Sequence, residues 1–278
     1  MSAGEAVVPE DLDDVVEIDP TVAHSARMYD YLLGGSTNFE VDRATVDRAT
    51  VAVGGIDNAR ASARANRAFL ARAVRYLAGE AGVRQFLDIG TGIPGSDGRH
   101  ADPQRVAPDA RVVYVDNDPI VLAHAHTLLT STPEGATAYI DGDLRDPEGV
   151  LAGAKETLDL SRPVAVVLGL VLHLVPDRDD PHGVVARLVD ALPSGSYLAV
   201  SHVTSEALPR EVGEMAGQLE RAADGAFVTR DRGEIRRFFD GLEIIEPGLV
   251  PIERWRPDGA GAKPRWLSAT YGGIGRKR

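Results

Sequence analysis

These 278 residues predict an α/β fold, a mostly parallel sheet with helices on both faces and a helical segment ahead of it. Three observations carry that expectation. From Gly82 onward short apolar runs alternate with helical stretches, the pattern of strands joined by crossover helices. Three of those stretches, Pro119 to Leu129, Pro147 to Leu158 and Pro181 to Leu192, open on proline, whose missing N–H costs nothing in a first helical turn. One apolar run, ending at Ile89, enters a glycine-rich turn, and sheets of this kind bind ligands beyond the carboxyl ends of their strands.

Taken in order, residues 1–20 hold seven acids (Glu5, Glu10, Asp11, Asp13, Asp14, Glu17, Asp19) and no base, so residues 1–17 are expected to form a disordered acidic tail. Residues 18–82 are expected to form an N-terminal helical lid and a long helix, and residues 83–278 the ligand-binding core. Thr21 to Val53 reads as helical segments broken at Gly34-Gly35, and Gly54-Gly55 breaks the chain again. From Ala59 to Glu80, Ala65, Phe69, Ala73 and Leu77 recur at helical spacing before a glycine stop. Candidate strands are Gln85 to Ile89, Arg111 to Val115, Thr137 to Ile140, Val164 to Leu170 and Tyr197 to Val203. Helices from Pro209 to Ala223 and Asp231 to Phe239 then precede two closing strands, about Leu242 to Val250 and Trp266 to Tyr271.

Composition is ordinary globular, with 44% hydrophobic and 26% charged residues. Cysteine is absent, which excludes disulfides, thiolate metal sites, iron–sulfur clusters and a cysteine nucleophile. The net charge of −12 repels phosphate backbones, so no nucleic-acid partner is expected. The amino terminus lacks a signal peptide's basic and apolar regions, and the longest apolar run, Val164 to Val175, is too short for a bilayer. A cytoplasmic protein without a membrane partner is the expectation. The basic carboxyl end reads as a solvated tail.

The segment Phe86 to Gly95, FLDIGTGIPG, contains a literal G-x-G-x-x-G at Gly90, Gly92 and Gly95. That pattern serves two unrelated ligands. A dinucleotide pyrophosphate would sit on a following helix amino terminus, yet Pro94, Gly95, Asp97 and Gly98 leave no clear helix start. Asp88 moreover precedes the turn where dinucleotide strands stay apolar, and a cationic ligand would tolerate it. S-adenosylmethionine (SAM) is such a ligand, carrying a sulfonium, an ammonium, a ribose and an adenine. Asp116, ending RVVYVD, can accept from both ribose hydroxyls. Asp143 can accept from the adenine amine while the Leu144 backbone faces the ring edge. A lone aspartate at such a place is more often a turn or cap residue. Three acids ending three successive strands are less easily read that way.

With those residues in view, the sequence resembles the class I SAM-dependent methyltransferases, and within them an actinobacterial-type S-adenosyl methyltransferase group. The resemblance runs from about Asp19 to the carboxyl end, through ARMYDYLLGGSTNFEVDR, RANRAFLARAVRYL, FLDIGTG, VVYVDNDP, DLRDPE, HLVPD, LPSGSYLAVSH and FFDGLEIIEPGLV. It implies a Rossmann-like, seven-stranded sheet whose last strand is antiparallel. It also implies that the early stretch folds over the cofactor, where Arg27, Tyr31, Gly34 and Arg64 are candidates for lining the pocket. With Asp88, Gly90, Thr91, Gly92, Asp116, Asn117, Asp143 and Leu144 they form the expected cofactor set. No metal spacing is found among the histidines.

His173 directly follows the fourth strand and His202 the end of the fifth. They are the first and second candidates for general base, although either imidazole could simply be hydrogen-bonded in the core. The expected reaction is transfer of the SAM methyl group to a small-molecule acceptor, by O- or N-methylation. Two alternatives remain at this point: an NAD(P)-dependent oxidoreductase, supported by the glycine pattern and an acid 21 residues after its last glycine, and a non-catalytic SAM-binding protein.

Overall fold

The computed structural model describes residues 19–51, 54–93, 102–128, 131–204, 206, 227–259 and 268–278. The expected acidic tail, the helix from Pro209 to Ala223 and residues 94–101 fall outside these residues.

Strands β1 (Gln85–Ile89), β2 (Arg111–Asp116), β3 (Ala136–Asp141), β4 (Ala165–Gly169) and β5 (Tyr197–Val203) lie parallel, in the spatial order β3-β2-β1-β4-β5. Helices α4 (Pro119–Leu128), α5 (Pro147–Ala154) and α6 (Pro181–Asp190) form the crossovers, with Asp146 and Asp180 capping the last two. Each central strand is buried on both sides. Leu87, Val113, Val166 and Leu198 face one apolar layer, while Phe86, Val112, Ala165 and Tyr197 face the other.

The carboxyl end departs from the sequence reading in three ways. The segment read as one strand from Leu242 is two short ones, β6 (Glu243–Ile244) and β7 (Val250–Pro251), after helix α7 (Arg232–Arg237). The last strand, β8 (Thr270–Arg276), begins four residues later than expected and runs antiparallel between β5 and β6, with β7 pairing to it as well. Among the described residues the sheet therefore has eight strands, seven of them on one continuous path. Nor is the basic end a solvated tail: the Lys277 ammonium donates to the carbonyls of Val189, Asp190 and Leu192 at 2.8 to 3.1 Å, closing the carboxyl end of α6.

Ahead of the sheet stand α1 (Ser25–Leu33), α2 (Glu40–Thr50) and α3 (Ile56–Arg75), the last extended by a π turn (Tyr76–Glu80). Gly34 ends α1 at φ 84°, a left-handed cap suited to glycine. Phe69, Leu70, Ala73 and Leu77 fix α3 onto the sheet. Arg72 secures it further, donating from Nε to the Trp255 carbonyl at 2.9 Å and from Nη2 to that of Ile252 at 2.6 Å. Trp255 itself is fully buried, edge-on to Phe69.

Candidate functional site

A cavity of about 300 Å³ opens at the carboxyl ends of β1 to β4. That volume is at the lower end of the range for small-molecule sites. Its floor is the β1 turn. Gly90 and Gly92 take φ 75° and 66°, and a Cβ on Gly90 would stand 2.6 Å from Val171, so only glycine lets the turn lie against the β4 exit. The Gly90 N–H donates to the Val115 carbonyl at 2.8 Å, tying the turn to β2.

Asp88, Gly90, Thr91, Gly92, Asp116, Asn117, Asp143 and Leu144 all line this cavity. Asp116 is held by the backbone: Gly92 N–H donates to Oδ2 at 2.8 Å and Asp118 N–H to Oδ1 at 3.0 Å. Each oxygen keeps a further lone pair. Burial pushes the Asp116 carboxyl up, against the pull of those two N–H groups. Burial pushes Asp88 further, up to about 7, with Arg67 opposing and Asp116 adding to the rise. Asp143 differs. Arg145 engages it with its backbone N–H at 2.8 Å and its Nε at 2.9 Å, and the guanidinium pairing holds the carboxyl below its usual range. Arg145, unforeseen from sequence, lines the cavity as well.

Helices supply the opposite wall, through His24, Ser25, Ala26 and Tyr29 at the start of α1 and Asn66, Arg67, Leu70 and Val74 on α3. The four residues expected there from the early stretch and α3 are not among them. Arg27 is buried against α2, its Nε 3.2 Å from Asp42 and its guanidinium over the Phe39 ring. The Tyr31 hydroxyl donates to Asp47 at 3.3 Å, Gly34 is the α1 cap, and Arg64 is exposed. Arg67, one turn along α3, occupies the place expected for Arg64, its guanidinium 5.3 Å from the Tyr29 ring centroid.

Two contacts fix this helical wall. His24 Nδ1 lies 2.8 Å from Asp118 Oδ2, closer than its 3.4 Å approach to the Ala26 N–H. The hydrogen bond to Asp118 raises the His24 pKa, burial opposing. The second is a chain of hydrogen bonds. Leu170 N–H donates to Ser201 Oγ at 3.1 Å, and Ser201 Oγ to Asn66 Oδ1 at 2.7 Å. Asn66 Nδ2 then donates to the Tyr29 hydroxyl at 3.0 Å, which donates to the Ala63 carbonyl at 3.1 Å.

The β4 end of the cavity carries imidazole. His173 lines it, and its Nδ1 is buried without a hydrogen-bond partner. Burial, then the nearby Arg230, pushes His173 down to about 3. His202 stands behind it, ring centroids 6.1 Å apart, and does not line the cavity. Arg230 Nη1 lies 2.9 Å from His202 Nε2, and since a guanidinium only donates, Nε2 must accept. The proton is then on Nδ1, donated to the Val203 carbonyl at 2.6 Å. With both nitrogens engaged, His202 has no lone pair left for a substrate proton. Among the described residues no group of His, Asp and Glu could hold a metal ion, and no helix is long and apolar enough to cross a membrane.

A family model described as S-adenosyl methyltransferase matches residues 12–278. A DUF574-family protein from Streptomyces avermitilis is 46% identical, with 92% of this chain and 98% of that one covered and a TM-score of 0.84. A candidate methyltransferase from Thermobifida fusca is 40% identical, covering 98% and 100% of the two chains, with a TM-score of 0.82. No functionally curated protein matches the chain.

Proposed function

This chain belongs to the S-adenosyl methyltransferase family, and from that premise we propose that it moves the SAM methyl group to a small-molecule acceptor, by O- or N-methylation. The family assignment displaces the nicotinamide reading of the glycine turn. The observation that carries the proposal is the asymmetry of the cavity, with carboxylates at the ends of β1 to β3 and a neutral imidazole beyond β4.

The residues present fit SAM. A doubly cationic ligand suits a wall holding Asp88, Asp116 and Asp143, and Asp116 keeps free lone pairs suited to a ribose diol. Asp88 would face the ammonium, Arg67 the carboxylate, and Asp143 with Leu144 the adenine. When bound, SAM supplies a methyl carbon already activated by its sulfonium. The work left to the chain is to hold the acceptor in line and to exclude water, which Ala26, Leu70, Val74 and Val167 favour by lining the cavity with apolar surface. In this reading His173, which lines the cavity beyond β4, meets the acceptor.

Titration calorimetry with SAM and with its demethylated product, S-adenosylhomocysteine, tests the site. Both should bind, and Asp116→Ala should weaken both. Failure of either ligand to bind the folded protein would overturn the proposal.

A further inference from the structure

We propose that the acceptor is already anionic at its attacking oxygen, a carboxylate or an acidic enol or phenol, and that His173 meets it as a hydrogen-bond donor rather than as a base. The inference rests on the methyltransferase reading above and narrows its substrate class.

The argument begins with Arg230, whose guanidinium is 2% exposed and gathers the β4 exit around itself. It donates to the carbonyl of Leu172 at 2.9 Å and to that of Val175 at 3.0 Å, the residues on either side of the turn that carries His173. Its ion pair with Asp177, at 2.6 Å, sits at the surface, where the Asp177 side chain is 74% exposed. Water screens that carboxylate far more than it screens the buried side of the cation. The acceptor end of the cavity is therefore electropositive. Among the described residues, the charged, titratable and aromatic groups that act on His173 are Arg230, the neutral His202 and the Phe227 ring at 4.8 Å, and none of them is an acid.

The imidazole's proton can be placed by elimination. Nδ1 is buried without a partner, and an orphaned acceptor is less costly than an orphaned donor, which puts the proton on Nε2. A ring beside a buried cation cannot hold a second proton, and its depressed pKa agrees. It can donate one hydrogen bond. An alcohol or ammonium acceptor would need a base, and neither imidazole among the described residues of this end serves as one, because the His202 lone pair is taken by Arg230.

An anionic oxygen needs none. Its attack forms the O–CH₃ bond and breaks the S–CH₃ bond. The bonding pair stays on sulfur as a neutral thioether, and no proton moves. Opposite charges on oxygen and sulfur cancel as the bond forms, so removal from water favours the transfer.

The test uses the protein saturated with S-adenosylhomocysteine and three aromatic probes of similar size: benzoate, benzamide and benzylammonium. Binding is followed by calorimetry and by the His173 ring ¹⁵N resonances, assigned with His173→Gln. Benzoate should shift those resonances and bind at least about tenfold tighter than either other probe. Arg230→Met should erase that preference. Should Arg230→Met fail to fold, Asp177→Asn, which removes the screened carboxylate at the surface, should strengthen benzoate binding instead. Preference for benzylammonium, equal affinities, no benzoate binding, or a His173 that titrates in its ordinary range would each overturn the inference. Failure of S-adenosylhomocysteine itself to bind is a separate result that strikes the cofactor reading.

Discussion

The two long walls of the cavity are built by different means. On the sheet side, Asp116 is oriented by backbone N–H groups of Gly92 and Asp118, so its position follows from the fold itself. On the helix side, α1 is held by side chains, through the His24–Asp118 pair and the chain from Ser201 through Asn66 to Tyr29. A wall fixed by backbone is present whenever the sheet is. One fixed by side chains can be loosened by a single substitution or by a proton, which makes α1 the part of the site that chemistry can adjust.

The largest effect is expected where the rigid wall loses its carboxylate. Asp116→Ala should cost about 1.5 to 3 kcal/mol of SAM affinity by calorimetry, the value of hydrogen bonds involving a charged group, with the thermal transition retained. On the same wall Asp88, standing near 7 in the free protein, must give up any proton it holds before it can face an ammonium. SAM affinity should therefore fall as pH drops below about 7, approaching tenfold per pH unit. Calorimetry in buffers of different ionisation enthalpy should register proton release, and Asp88→Asn should abolish it.

The helical wall should respond through stability first. Asn66→Ala leaves Ser201 and Tyr29 without their shared partner and should cost about 1 to 3 kcal/mol in denaturant unfolding, with SAM affinity reduced as α1 loosens. A smaller effect, about 1 kcal/mol, is expected for His24→Ala, which removes the ion pair to Asp118. Its pH signature has a definite sign. His24 is raised in the folded protein, so its contribution is complete below about 6.5, its unfolded value, and is lost as pH rises through the folded one. On the acid side burial works against Asp118, yet its bonds from His24 and the Ile120 N–H hold it below its usual value. The pair persists there until pH falls through that lowered value. Hydrogen exchange along α1 should follow this window in the parent and not in His24→Ala. The smallest effect is that of Arg64→Ala, within about 0.5 kcal/mol on stability, with SAM affinity unmoved, whereas Arg67→Ala should lower that affinity.

The same contrast explains what the amino-acid sequence could disclose. A strand alternates with period two, so a polar residue at or just past the end of an apolar run, such as Asp88, Asp116 or Asp143, can be placed near the strand end without knowing its neighbours. A helix turns about 100° per residue, and choosing between Arg64 and Arg67 requires the docking angle, which no local pattern contains. Arg27 lay beyond reach for the same reason: it turns toward Asp42 on α2 instead of the cavity. Arg230 gave no local sign at all, since its partners Leu172, Val175 and His202 lie 28 to 58 residues away. The run of β8 past Tyr271 to Arg276 was hidden by Gly272, Gly273 and Gly275, residues that disfavour strands in isolation. Packing accounts for one of them: a Cβ on Gly272 would stand 2.7 Å from the Phe69 ring.

The placement of β8 also sets a timetable. It is the last strand in sequence, yet it lies between β5 and β6, more than sixty and about thirty residues upstream. During synthesis both neighbours exist before the strand that joins them, and β5 keeps an unpaired edge until β8 itself emerges. Pairings so distant along the chain form slowly, and an open edge invites other strands. Ribosome-bound chains lacking β8 should accordingly draw more chaperone than the complete one.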